Sequence, residues 1–261
     1  TKNEKPRMRN KIAMGIIFLI AYIGFLIATL PTSAVLKYVT LPKNVTNSVY
    51  LSGVSGSVWH TRINQVKING APIDKVEAQV SFWSLLSLTP KLAITFGDPF
   101  KAGPEGKFDL ALSSEKATLT NLNLLVSANE VAQQLPLPLP MLAQGDVELM
   151  VSAAEIDLTK NNQCISATGN GAWSKAGITA LDKTVPLGQL NADISCANGV
   201  LTLVMSPKND LGLTFTASVG QNGKASGKGY LKPGPKFPSA LNDALPFLGT
   251  PDSRGRYRLV F

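Results

Sequence analysis

Hydrophobic and polar positions divide this chain into two regimes that meet at Pro31. From Ile12 to Leu30 it reads IAMGIIFLIAYIGFLIATL, nineteen residues without a charge. As a helix such a run is about 28 Å long, close to the roughly 30 Å hydrocarbon core of a bilayer. Backbone polar groups in lipid must be satisfied within the segment, so residues 12–30 are predicted to form one transmembrane helix. Pro31 ends it, because its ring clashes with a continuing helical turn. The competing reading is a cleaved leader, for which Thr32-Ser33-Ala34 offers small residues. The run exceeds the usual apolar stretch of a leader, about 7–15 residues, so a retained anchor is expected. A buried core helix would show a polar face, and this one has none.

Beyond Pro31 the apolar positions alternate. Val76–Val80, Lys107–Leu112, Asp146–Val151, Leu190–Ile194, Leu211–Thr216 and Arg256–Phe261 each switch polarity every residue. That period belongs to antiparallel strands with one face buried and one wet. Asn69-Gly70, Asn198-Gly199 and Asn222-Gly223 suit tight hairpin turns. About twelve strands are expected, with short helices near Ser81–Leu88, Asn129–Leu135 and Ser239–Leu245. The fold class is mainly β: an N-terminal transmembrane helix, then an elongated, mostly antiparallel β-layer.

An internal similarity suggests how that layer is arranged. Trp59 and Trp173 lie 114 positions apart, as do Pro72 and Pro186. At the same offset Val76 meets Leu190, Ala78 meets Ala192 and Val80 meets Ile194. Near the ends, at offset 110, Leu135-Pro136 meets Leu245-Pro246 and Gly145 meets Gly255. The expected organisation is a basic stub over 1–11, the anchor over 12–30 and a β-rich region over 31–261. Within that region two similar halves, about 40–152 and 153–261, form one continuous layer.

Charge sets the topology. Lys2, Lys5, Arg7, Arg9 and Lys11 precede the anchor against a single Glu4, which by the positive-inside rule keeps that end in the cytoplasm. The whole chain carries 25 Lys and Arg against 17 Asp and Glu, a net +8. Without the stub 20 remain against 16, a mild surplus of +4 that gives no basic patch for nucleic acid. Two cysteines, Cys164 and Cys196, lie beyond the anchor. On that side of the membrane they are expected to form a disulfide. With them and a single His in the chain there is no plausible zinc site.

Little points to catalysis. Gly53-Val54-Ser55-Gly56-Ser57 resembles a nucleophile elbow, but Ser57 stands where that turn needs glycine. His60, read in one strand with Ser55, points to the other face. Gly223–Gly229 lacks a following helix and reads as a hairpin with exposed lysines. Glu155 and Asp157 read as a solvated edge, and no cofactor site is expected. The alternation of Tyr257, Leu259 and Phe261 is like the last strand of an outer-membrane barrel, yet fits equally the closing strand of the second half.

One stretch is familiar. A basic stub, one helix, a Leu-Pro pair soon after, and then Leu51-Ser52-Gly53-Val54-Ser55-Gly56-Ser57-Val58-Trp59 resemble the type II secretion system protein N family. Trp83-Ser84-Leu85-Leu86 is similar to that family's W-x-L-L segment. His60-Thr61-Arg62 departs from it where a glycine usually follows the Trp. The resemblance implies an accessory, non-enzymatic, single-pass subunit of the bacterial inner membrane with its C-terminal region in the periplasm. Its partners would be other type II secretion subunits, in the inner-membrane platform or the secretin. Gly53, Gly56 and Trp59, with Trp173 of the second half, are expected to be structural: glycine for close backbone approach, tryptophan to fill a pocket. The layout is also similar to AsmA-like inner-membrane proteins, which implies an alternative in which the β-layer binds or transfers lipid. A scaffold should have a closed core, and a lipid carrier an open apolar trough continuous with the anchor.

Overall fold

The computed structural model describes residues 5–36, 49–68, 70–87, 89–133, 142–180, 183–221 and 224–260. Helix α1 runs over Lys5–Ala28 and the single turn α2 over Thr32–Leu36. Strands follow at β1 (Val49–Ser57), β2 (His60–Ile68), β3 (Ala71–Val80), β4 (Lys91–Phe96), β5 (Glu105–Leu112), β6 (Lys116–Ser127) and β7 (Leu142–Asp157). The rest are β8 (Gln163–Ala180), β9 (Lys183–Ala197), β10 (Val200–Met205), β11 (Leu213–Val219), β12 (Ala225–Leu231) and β13 (Tyr257–Val260). Short helices α3 (Phe82–Leu86) and α4 (Ala128–Gln133) and a 3-10 segment (Ser239–Leu248) complete it. All three overlap the helices expected from sequence. Asn69, Asn222-Gly223, Leu135–Pro140 and Phe261 lie outside the described residues.

The helix differs from expectation at its ends. It begins at Lys5, so part of the basic stub is helical, and stops at Ala28. Pro31 halts it but also opens α2, whose Ala34 and Val35 amides donate to the Pro31 carbonyl. Proline's fixed φ suits a first helical turn, where its missing N–H costs nothing.

The thirteen strands form one antiparallel sheet in simple sequential order. Directly paired residues share a face, so the registers sort the whole sheet into rows. One row reads Gly106, Leu124, Leu149, Gly171, Ala192 and Met205 across β5 to β10. The next residue along reads Lys107, Asn123, Met150, Asn170, Asp193, Val204, Thr216 and Lys228. Alternation in the sequence has therefore become one apolar and one predominantly polar face, held across many strands.

The apolar face is concave. A Cβ built on Gly171 of β8 would lie 3.7 Å from Cδ1 of Leu203, two strands away on β10. Neighbouring strands are about 4.8 Å apart, so such a reach requires the sheet to curl toward that face. The small residues Gly171 and Ala192 leave room for it. Register shifts in β6, β7 and β8 mark bulges, which bend strands further.

Among the described residues no second layer covers this face along its length. Ala176, Leu187, Leu190 and Leu211 form a buried cluster, packed by Trp173, Ile178, Phe237 and Leu241. Phe237 and Leu241 come from the 3-10 segment and the chain entering it, which close one end of the trough. Elsewhere the apolar side chains stay partly exposed, and among the described residues no large side chain is fully buried.

The elements recur in order: β3 to β6, α4 and β7, then β9 to β12, the 3-10 segment and β13. Position 152/153 falls inside β7, which pairs with both β6 and β8, so the sheet runs unbroken there. Trp59 lies in the β1–β2 turn, whereas Trp173 lies within β8. A hairpin in the first part thus corresponds to one long strand in the second.

Cys164 and Cys196 are disulfide-bonded, with Cα atoms 5.7 Å apart. The bridge joins the start of β8 to the end of β9. At the other end of the chain, Asp252 organises the turn before β13. Its carboxylate accepts from Arg256 Nε at 2.9 Å and from the amides of Arg254 and Arg256. The Arg256 guanidinium also stacks 4.2 Å from the Tyr230 ring centroid. The Arg256 side chain first, then its amide, hold the Asp252 carboxyl down to about 2.

Two outcomes follow. Replacing both cysteines by serine, Cys164→Ser with Cys196→Ser, is expected to cost about 3 kcal/mol, read as a lowered denaturation midpoint of the detergent-solubilised chain. Asp252, with its depressed pKa, supports the turn fully above the ordinary carboxylate range and loses that support as pH falls towards 2. By NMR its carboxyl carbon should titrate near that value, and return towards roughly 4 in Arg256→Met.

Candidate functional site

The most organised local chemistry lies where α1 meets the sheet. An α-helix ends with carbonyls that have no partner inside it. At a membrane boundary such groups are expensive to leave bare. Here the β1–β2 hairpin supplies donors. Trp59 Nε1 donates to Ile27 O at 3.0 Å, and Val58 N donates to Leu30 O at 3.0 Å. Pro31 bridges Ser57 across an isolated β-bridge. Thr32, itself buried, shares a 2.8 Å hydroxyl hydrogen bond with Thr61. Trp59 O accepts from Val80 N, which ties β3 into the same junction. The tryptophan is thus a helix cap as well as a packing residue, with Phe82 of α3 against its ring at 5.4 Å between centroids.

The glycines of the same motif shape the hairpin. Gly53 and Gly56 have φ of 68° and 89°, in the left-handed region. A Cβ on Gly56 would lie 2.3 Å from the His60 carbonyl oxygen, which is backbone and cannot swing away. On Gly53 it would meet the side chain of Asn64, which can. Trp173 lies far along the sheet, between Val147 and Leu190, and donates its indole N–H to Gln144 O at 2.8 Å. Cys164 and Cys196 are likewise on β8 and β9, so the six expected residues do not form one site. Gly53 and Gly56 lie in the hairpin whose turn carries Trp59 to the end of α1, and the other three lie in the second part of the sheet.

The polar groups considered for chemistry are engaged separately. Ser55 Oγ points at Arg62 O, while His60 Nε2 faces Glu77 Oε2 at 3.2 Å, with Arg62 beyond it. The turn at Val58-Trp59 puts Ser55 and His60 on two paired strands, where the sequence reading had placed them in one. Glu155 pairs with Lys116 at 2.9 Å, and Asp157 accepts from the Thr159 hydroxyl. These two carboxylates sit on an interior strand, not at an edge. No group of acidic, histidine or cysteine side chains suited to a metal occurs among the described residues.

The sequence offers an open apolar trough only as the alternative to a closed core and does not choose between them. The alternation carries the trough's signal, but only the registers show that the apolar sides of β5 to β10 coincide. Trp59 as a cap was also hidden, because its acceptor is 32 positions earlier.

Gly56→Ala is expected to destabilise the hairpin by about 2 kcal/mol, from the left-handed backbone and the overlap together. Gly53→Ala should cost less, since its neighbour can move. Thermal denaturation of the two variants side by side makes the comparison.

The family model described as "Type II secretion system (T2SS), protein N" matches residues 47–260. The chain is 29% identical to the type II secretion system protein N of Aeromonas hydrophila, covering 97% of this chain and 98% of that one. It is 25% identical to the protein of the same name from Vibrio cholerae, covering 96% and 97%. For that of Klebsiella pneumoniae the identity is 24%, covering 95% and 94%. No solved structure matches. With the glycine-tryptophan hairpin and the long β-layer inside the family match, the chain belongs to the type II secretion system protein N family.

Proposed function

We propose that this chain is a single-pass, non-enzymatic subunit of the type II secretion apparatus whose concave apolar face holds lipid acyl chains. The stub of basic residues would stay in the cytoplasm, with the sheet in the periplasm of the bacterial cell. The disulfide agrees with that oxidising side. Thr32, the first residue of the small-residue site, is buried and hydrogen-bonded to Thr61 in the junction, which favours a retained anchor. The recurring order of elements supports two related halves, about 40–152 and 153–261, that lengthen a single trough.

One observation carries the lipid assignment. A thirteen-strand sheet presents an apolar face that no other described element covers over most of its length, and that sheet is hydrogen-bonded to the end of the long apolar helix α1. A scaffold would be expected to close such a face in a core. Acyl chains are long, flexible and non-directional, and need only apolar contact. Protein contacts within the apparatus have their own support: the sheet is open, with β1 and β13 paired on one side each among the described residues. A strand from another subunit could extend either edge.

Phospholipids carrying a photoactivatable group on the acyl chain test this on the full chain in vesicles. Label is expected on peptides containing Ile94, Phe108, Leu124 and Leu149. Label confined to α1 would overturn the lipid reading. Mild crosslinking in cells should recover other secretion subunits with the chain, and recovery of the chain alone would sink the assembly role.

A further inference from the structure

Helix α3 carries aromatic side chains that the fold leaves largely exposed. Phe82 is 53% exposed and Trp83 76% exposed. Their rings touch edge to face, with centroids 5.8 Å apart, and Phe82 also meets Trp59 at 5.4 Å. Through the Trp59 indole this cluster is one hydrogen bond from Ile27, in the last turn of α1. The apolar stretch Lys11–Ala28 is about 27 Å long as a helix, enough to place Ile27 at the far boundary of the hydrocarbon. The exposed rings therefore lie beside the point where the chain leaves the bilayer.

The setting suits a membrane surface. From Ala78 to Pro90 there is no charged residue. The turn is also held in shape. Ser84 is buried; its Oγ donates to Ser81 O at 2.6 Å and accepts from Lys91 N at 2.8 Å, and Ser87 Oγ donates to Ser84 O. A pinned serine side facing inward leaves the aromatic side facing out. Tryptophan favours the bilayer–water interface, where its ring is apolar and its N–H meets water or headgroups.

We infer that Phe82 and Trp83 enter the headgroup region of the leaflet at which α1 ends, giving the sheet a second membrane contact. One helix lets the sheet swivel about its axis. A second contact, on the connection between β3 and β4, fixes how the first strands stand against the bilayer. The inference rests on α1 spanning the membrane, but not on lipid in the trough.

Fluorescence of the full chain in phosphatidylcholine–phosphatidylglycerol vesicles tests it. The signal lost in Trp83→Phe, which conserves an aromatic ring, isolates Trp83 from Trp59 and Trp173. Phosphatidylcholine brominated high in its acyl chains is expected to quench that difference signal at least twofold, and aqueous iodide to leave most of it. Strong iodide quenching with none from the brominated lipid overturns the proposal, and makes the patch bare or a protein-docking surface. Flotation with carbonate-washed vesicles separates the two premises. A floating chain whose Trp83 is not quenched by lipid refutes only the α3 contact. A chain that fails to float removes the anchor reading, and this proposal with it.

Discussion

The partnering of the carbonyls at the end of α1 is the constraint on which the rest depends. The last carbonyls of a helix lack the full set of partners that its interior carbonyls have. In this chain they are met by Trp59 and Val58 from a hairpin that is itself the first unit of the sheet. The anchor is therefore built into the β-layer, and every later strand inherits its position from that junction. Gly56 is needed because the hairpin passes so close to the His60 carbonyl, and the Trp59 ring in turn seats Phe82.

From that root the sheet grows by the simplest topology available, each strand pairing with the next. Such a meander keeps contacts local, so each hairpin can form beside one already in place. It leaves one problem unsolved. A single sheet with an apolar face must bury that face against something. Curling toward the apolar side, with small residues at Gly171 and Ala192, shelters part of it, and the 3-10 segment covers one end. The remainder stays half-exposed.

Much of this was legible in the residues. An uncharged nineteen-residue run announces a long apolar helix, and the alternation announces strands with one apolar side. The three short helices and the cysteine pair were likewise visible, because each depends on neighbours or on compartment. The misses share a cause. Ser55 and His60 were read in one strand because Val58-Trp59 has no turn glycine to announce a hairpin. Glu155 and Asp157 were read as an edge because strand order leaves no local trace. Turn α2 was hidden behind a proline that both ends one helix and starts the next.

Sequence by itself determined the local periods: where the chain forms a long apolar helix, where it is extended, and which positions of a strand are apolar. These follow from short-range sterics and from the partition of each side chain between water and oil. Tertiary structure alone decided that thirteen strands lie in sequential order in one open sheet, that the apolar sides of β5 to β10 coincide, and that the sheet curls toward them. It also decided that Trp59 caps a helix 32 residues behind it. Those outcomes depend on register and on contacts between distant residues, and a one-residue slip in pairing, invisible in composition, would have turned a strand's apolar side to the other face.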